Sequence, residues 1–200
     1  MSHLRYSGLS HERQCAALDG ILRADPVVWP ALEKAHDLAL PDWMVVAGAI
    51  YNTVWNALTG RPPGHGLKDI DLFYHDASDL SWEAEDIVIK RGAAHFAGTA
   101  VPVEIRNQAR VHLWYPQRFG RTCPPYESST HSLGFFASKT HAIGVRLDGR
   151  SLLEVVAPFG LEPMFAMRIE PNRKLENSPA YEEKGARART NWPEVELIPW

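Results

Sequence analysis

An apolar run, a glycine and an amphipathic helix pattern follow one another directly, and this succession constrains the fold most. Residues 43–47 form a short apolar stretch typical of a buried strand, and Gly48 follows it. Apolar residues then recur at helical spacing as far as Leu58, and Gly60 ends the predicted helix before the loop 61–66. Free N–H groups at such a helix start favour a phosphate, and Gly48 allows the phosphate to approach the backbone closely.

Two carboxylates stand on the next predicted strand. The alternation from Asp69 to Tyr74 predicts a strand on which Asp69 and Asp71 share one face. Their positions are roughly 6–7 Å apart along the strand. Paired carboxylates of this kind can hold Mg²⁺, or Mn²⁺, shared with a triphosphate.

A third carboxylate, Glu104, lies in the predicted strand 101–105. Its neighbours Val103 and Ile105 point to the opposite face, which leaves Glu104 on the polar face if those two residues face the core. Three carboxylates can place two metal ions about 3.5–4 Å apart for displacement at phosphorus. We therefore predict Asp69, Asp71 and Glu104 as metal ligands and catalytic residues that converge to within about 6 Å of a common point. The alternative is an acidic, solvent-facing strand with Glu104 on a sheet edge.

Basic side chains elsewhere in the chain could complete an anion site. Lys139 and Arg146 flank a predicted strand over residues 140–147. Lys184 and Arg187 lie one turn apart on a predicted last helix and could face a phosphate together. For each of them, a solvated surface position is the competing interpretation.

The remaining periodicity outlines one domain over residues 1–200, with a core at about 15–160 and a C-terminal helix and tail at about 161–200. Helices are predicted at four further places, namely 11–23, 29–39, 81–97 with Ser81 as N-cap, and 179–190. The strands 140–147 and 152–156 flank an Asp-Gly-Arg turn and predict a hairpin. Residues 116–126 predict an irregular, proline-rich loop, and residues 192–200 show no helical pattern. This order predicts an α/β or α+β domain with a small mixed sheet flanked by helices.

Composition excludes several classes of protein. The net charge of −3 rules out a strongly basic surface, so nucleic acid is not an expected partner. No stretch approaches the 18 apolar residues of a membrane span, and the N-terminus shows no signal peptide, so we expect a soluble cytoplasmic protein. The two cysteines cannot build a disulfide framework. Phosphate-loop, serine-hydrolase and zinc-protease motifs are all absent from the sequence, which leaves the carboxylate cluster as the main chemical signal.

The stretch from Val45 to Leu72 resembles the signature of the DNA polymerase β-like nucleotidyltransferase superfamily. It is similar to tRNA nucleotidyltransferases and poly(A) polymerases, in which a Gly-Gly-Ala-Val-Arg-Asp helix start, a Gly-Arg-Pro-Pro loop and Asp-Ile-Asp follow in this order. Over about residues 15–200 the chain also resembles an uncharacterised bacterial family of nucleotidyltransferase-like proteins. Four stretches carry this second resemblance, namely 47–50, 68–74, 103–115 and 165–168.

The resemblance implies the superfamily fold and metal binding by Asp69, Asp71 and Glu104, but no particular acceptor. Ala47 departs from the pattern at the first glycine, and Tyr51 and Asn52 depart from it at the Arg-Asp pair of the tRNA enzymes. These departures argue against a simple transfer of tRNA-terminus chemistry to this chain.

The first functional hypothesis is a Mg²⁺-dependent transfer of a nucleoside monophosphate from a nucleoside triphosphate to a hydroxyl acceptor, with release of pyrophosphate. The N–H groups of Gly48 and Ala49 would hold the phosphates, and Asn52, Lys139 and Lys184 would complete the nucleotide site. The acceptor could be a small molecule, a protein side chain or an RNA end, and the acidic balance lowers the RNA case. A non-catalytic nucleotide-binding or regulatory module is the second hypothesis. A structural protein with an inert site is the third, and the clustered carboxylates argue against it because they would repel one another. The oligomeric state is left open.

Overall fold

Helices and strands alternate through the first half of the chain in the computed structural model, which describes residues 2–200. The α-helices are α1 His11–Arg23, α2 Val28–Leu38, α3 Gly48–Thr59, α4 Trp82–His95, α5 Val111–Phe119, α6 Ser129–Leu133, α7 Glu162–Phe165 and α8 Ser178–Asn191. The strands are β1 Met44–Val46, β2 Ile70–Tyr74, β3 Val103–Asn107, β4 Gly144–Leu147, β5 Leu153–Val156, β6 Arg168–Ile169 and β7 Glu196–Leu197.

A five-stranded sheet in the order β3-β2-β1-β4-β5 forms the centre of the fold. Strands β2 and β3 are parallel, whereas β1 is antiparallel to both β2 and β4, and β4 is antiparallel to β5. The short strands β6 and β7 form a separate parallel pair. The predicted class, a small mixed sheet with flanking helices, is confirmed.

The two faces of the sheet differ in chemistry. Ile105, Leu72, Val45 and Val145 stand side by side on neighbouring strands, and all four are buried. Helix α4 packs on this face through Gly92, where a Cβ atom would overlap the side chain of Ile105. Because successive residues of a strand point to opposite faces, the next row, which contains Glu104, Asp71 and Val46, belongs to the other face. The sheet therefore presents its carboxylates on the side away from α4.

The predicted helix boundaries follow from local chemistry. The Ser81 hydroxyl accepts a hydrogen bond from the Ala84 N–H (3.2 Å) and starts α4, as predicted. Gly60 adopts a left-handed φ of 72° and ends α3. The four helices predicted at 11–23, 29–39, 81–97 and 179–190 are all present within two residues of those limits.

The prediction of an irregular loop over residues 116–126 is wrong in its first part. Helix α5 continues to Phe119 with Pro116 inside it. Val111 and Tyr115 of this helix pack into a second apolar cluster with Tyr126 and Phe135. This packing stabilises the helix even though Pro116 has no N–H and therefore removes one backbone hydrogen bond.

The strand predicted from Thr140 begins only at Gly144. Thr140 is held elsewhere by its side chain, whose hydroxyl donates to the Arg168 carbonyl (2.7 Å) and accepts from the Glu170 N–H (3.0 Å). The hairpin of β4 and β5 is confirmed. The tail, for which no helix was predicted, contributes strand β7.

Candidate functional site

A polar cleft lies where β1 passes into α3, beside the start of β2 and the side of α8. Two further segments, the loop before β2 and the turn before β4, complete its walls. Its lining residues are Ala47, Gly48, Tyr51, Asn52, Gly66, Leu67, Lys68, Asp69, Asp71, His141, Lys184 and Arg187. The cleft therefore brings together Gly48, Asn52, Asp69, Asp71 and Lys184, five of the predicted site residues.

The start of α3 supplies free backbone donors. The Ala47 carbonyl accepts from the N–H groups of Ile50 (2.9 Å) and Tyr51 (3.1 Å). The N–H groups of Gly48 and Ala49 have no hydrogen-bond acceptor within residues 2–200. A Cβ atom on Gly48 would meet no atom closer than 3.9 Å, so its backbone is open on this side. Ala49 is fully buried as a whole residue and does not line the cleft, so of these two predicted donors the structure places only Gly48 at the cleft.

The two aspartates lie at the opposite wall. Asp71 stands beside Val46 in the sheet, next to the turn that leads into α3, and Asp69 immediately precedes β2. Burial, and then the charge of Asp69, raises the pKa of Asp71 to about 6. A divalent cation would remove this repulsion, and carboxylate oxygens are the donors that Mg²⁺ prefers. The donor set therefore fits a hard divalent cation.

Glu104 lies directly beside Asp71 in register on the parallel strand β3. Its charge also raises the pKa of Asp71, but its side chain is exposed and is not part of the cleft lining. Its Oε2 atom accepts from Nη2 of Arg106 at 3.0 Å. Across residues 2–200, no three His, Cys, Asp or Glu side chains are preassembled as a metal site. The structure thus brings Asp69 and Asp71 together and holds Glu104 to one side through Arg106.

Positive charge reaches the cleft from α8, as the spacing of Lys184 and Arg187 predicts. Arg187 also faces the hydroxyl of Tyr51 and opposes the rise in the pKa of that phenol. Helix α8 is anchored at its end, where Nε1 of Trp192 donates to Oδ1 of Asn56 in α3 (3.0 Å). This anchor holds the end of α8 against the second half of α3.

The other two predicted cations lie outside the cleft. The Nζ atom of Lys139 is 3.9 Å from the Glu170 carboxylate and does not line the cleft. Arg146 donates to Asp42 (3.1 Å) and Glu154 (2.6 Å). Both of them serve surface ion pairs.

His141 and Lys68 are titratable cleft residues that the sequence analysis did not predict, and His141 is the buried one. Its ring stacks on Tyr51 with a centroid distance of 4.4 Å and an interplanar angle of 21°. Burial, and then the charges of Lys184 and Arg187, lower the pKa of His141 to about 3, so it is neutral. No spacing pattern connects His141 with the carboxylates, and only the fold brings it to the cleft.

Comparison with known proteins identifies the class. A family model described as nucleotidyltransferase matches residues 33–197, and the chain belongs to this family. The resemblance noted in the sequence is thereby confirmed.

An NMR structure described as a CCA-adding enzyme head domain has the same fold. The TM-score is 0.77 and the sequence identity 21%, and the alignment covers 98% of this chain and 100% of that chain. No curated protein matches the sequence. Within residues 2–200, no helix combines the length and apolar character needed to cross a membrane.

Proposed function

We propose that the protein transfers a nucleoside monophosphate from a nucleoside triphosphate to a hydroxyl acceptor in the cytoplasm, with Mg²⁺ and with release of pyrophosphate. One observation carries the proposal. The free N–H group of Gly48 at the start of α3, the Asp69–Asp71 pair and the cations of α8 all meet at a single cleft. Such a cleft offers both donors for phosphate oxygens and ligands for a divalent cation.

In this proposal the carboxylates have different roles. Asp69 and Asp71 would hold the metal, which when bound neutralises phosphate charge and polarises the phosphorus centre. Glu104 stands beside Asp71 in the sheet, so it is the group placed to accept the proton of the attacking hydroxyl. To do so it must leave its exposed ion pair with Arg106. An exposed pair contributes about 0–1 kcal/mol, so it can be broken readily.

The remaining cleft residues would position the triphosphate. The N–H group of Gly48 donates to a phosphate oxygen at the positive end of the α3 dipole, and the N–H of Ala49 could join it only if the phosphate displaced the groups that bury Ala49. Lys184 and Arg187 neutralise the charge that collects on the leaving pyrophosphate. The acceptor hydroxyl attacks the α-phosphorus, the bond to the β-phosphate oxygen breaks, and pyrophosphate leaves.

Calorimetric titration with each nucleoside triphosphate and Mg²⁺ tests binding, and pyrophosphate release with a panel of hydroxyl acceptors tests transfer. We expect Asp71→Asn to abolish transfer, and Lys184→Gln to weaken triphosphate binding about tenfold. Lys139→Gln is the matched control, because Lys139 carries the same charge outside the cleft. A protein that binds no triphosphate would refute the proposal. Binding without pyrophosphate release for any acceptor would instead indicate a non-catalytic nucleotide-binding module.

A further inference from the structure

Two buried polar atoms at the cleft have no hydrogen-bond partner. They are Oδ1 of Asn52 and Nε2 of His141, and each residue is only 4% exposed. Within residues 2–200, the other two such side-chain atoms, on His112 and Ser129, do not belong to the cleft. Buried polar groups in native proteins almost always have partners, so this pair indicates a ligand group or an ordered water.

The amide orientation of Asn52 defines what it can bind. Its Nδ2 atom donates to the Gly66 carbonyl at 3.3 Å, which leaves Oδ1 as the atom without a partner. Oδ1 accepts hydrogen bonds only, so its partner must be a donor. A phosphate oxygen is an acceptor and cannot fill this position.

His141 narrows the choice further. Its neutral imidazole offers one N–H and one lone pair. Lys184 and Arg187 lower its pKa through their charges, and the same charges disfavour a cationic ligand group beside it. A hydroxyl suits the chemistry of each residue, because it can donate to Oδ1 of Asn52 and can either donate to or accept from His141.

The position of Asn52 agrees with a hydroxyl of the nucleotide's sugar. Asn52 lies one turn after Gly48 on α3, about 6 Å along the helix from the phosphate-binding N–H groups. The sugar is the part of a nucleotide next to the phosphates.

We infer that Asn52 and His141 bind a sugar hydroxyl of the triphosphate and make the protein selective for ribonucleotides. This inference rests on the proposed function, since it assigns the sugar end of the same ligand. Asn52 and His141 are specificity-determining residues here and take no part in the transfer itself.

The test is the affinity of the protein for ATP, 2′-deoxyATP and 3′-deoxyATP with Mg²⁺, measured by titration calorimetry. Wild type should bind ATP about tenfold or more tightly than at least one deoxy analogue, because a site built for a hydroxyl is left with unpaired polar atoms when it is missing. In Asn52→Ala and in His141→Phe, the ratio should fall to near one. His112→Phe is the matched control and should keep the wild-type ratio, because His112 has an unpartnered nitrogen outside the cleft.

Each ratio compares the affinities of one protein for ATP and for a deoxy analogue. A variant that is only partly folded therefore gives the same ratio as if it were fully folded. His141→Phe retains the ring that stacks on Tyr51 and decides the matter if Asn52→Ala does not fold. Equal wild-type affinity for all three nucleotides overturns the inference and leaves the proposed function standing. Variants that alter the preference among ATP, GTP, CTP and UTP but not the sugar ratio would show that these residues contact the base, which also overturns it. Failure to bind any triphosphate refutes both.

Discussion

Asp71 destabilises the metal-free protein at neutral pH. The pKa of its carboxyl is about 6 in the folded state instead of 3.8, chiefly because it is buried and then because Asp69 is close. The folded state therefore binds the proton more tightly than the unfolded state. Stability falls as the pH rises from about 4 to about 6, and above that range the cost is about 3 kcal/mol.

We predict that Asp71→Asn makes the metal-free protein as stable as wild type or up to about 3 kcal/mol more stable at pH 7. The same substitution should abolish the Mg²⁺-dependent rise in melting temperature, which comes from binding to the folded form. Melting curves with and without Mg²⁺ and a triphosphate measure both effects. Asp86→Asn is the control, because it removes the same charge from α4, where Asp86 pairs with Lys90 outside the cleft. An Asp71→Asn protein with the full metal shift would show that the aspartate pair is an ordinary acidic strand end.

His141 gives the opposite dependence on pH. Its pKa is lowered to about 3 by burial and by Lys184 and Arg187, so the unfolded state alone takes up a proton near pH 6. Stability is therefore lost as the pH falls below about 6.5, and the loss at pH 5.5 is about 1.4 kcal/mol. We predict that wild type loses about this much stability relative to His141→Phe between pH 7.5 and pH 5.5. Urea unfolding of both proteins at both pH values measures it, and a pH-independent difference would contradict the prediction.

At the scale of elements, the turn from β1 into α3 is strained. Ala47 adopts φ 51° and ψ −110°, a backbone conformation that residues other than glycine rarely adopt. We predict that Ala47→Gly stabilises the protein by about 1 kcal/mol, because the relief of strain exceeds the greater freedom that glycine has in the unfolded chain. Thermal and urea unfolding measure it. A loss of stability would mean that the Ala47 methyl group contributes more through packing than its backbone costs.

Two helical glycines should respond in opposite ways to the same substitution. A Cβ atom on Gly20 in α1 would meet nothing within 4 Å, so Gly20→Ala should stabilise the protein by about 0.5–1 kcal/mol. A Cβ atom on Gly92 in α4 would overlap Ile105, so Gly92→Ala should destabilise it by about 1–3 kcal/mol. Both substitutions gain the same helix propensity from replacing glycine with alanine. The difference between the two changes in unfolding free energy therefore measures the cost of the steric overlap at Gly92. Equal effects would refute the close contact of α4 with β3.

The long helices and the central strands follow from the sequence because their patterns are local. Periodicity, the Ser81 cap and the Gly60 stop together define α3 and α4. Local patterns could not predict that the strand predicted from Thr140 begins only at Gly144, or that Pro116 lies inside a helix. Hydrogen bonds from Thr140 to the backbone of residues 168 and 170 decide the first, and packing of Tyr115 against a distant apolar cluster decides the second.

The site shows the same division between local and distant information. Gly48, Asp69 and Asp71 lie close in sequence, and their motif predicts a common location. The alternation on β3 places Glu104 beside Asp71, but it says nothing of the pairing with Arg106. His141 reaches the cleft only because the segment before β4 leaves the sheet and turns toward Tyr51.

At the scale of the whole molecule, the net charge of −3 gives no general attraction for polyanions. We predict that single-stranded RNA binds more weakly than about 10⁻⁴ M at physiological salt, in fluorescence anisotropy with a labelled oligonucleotide. Free nucleoside triphosphates with Mg²⁺ serve as the positive control. Micromolar RNA binding that weakens steeply with added salt would contradict the prediction and point to an RNA acceptor.

The attachment of the cleft's cations to α8 has a consequence for how the protein is made. Gly48, Asp69 and Asp71 are synthesised more than a hundred residues before Lys184 and Arg187. A nascent chain therefore carries the acidic wall of the cleft before the basic wall exists, and that wall alone repels a triphosphate. On the proposed function, affinity for the nucleotide would begin only when α8 docks, so the nucleotide would bind the folded domain and not the incomplete nascent chain.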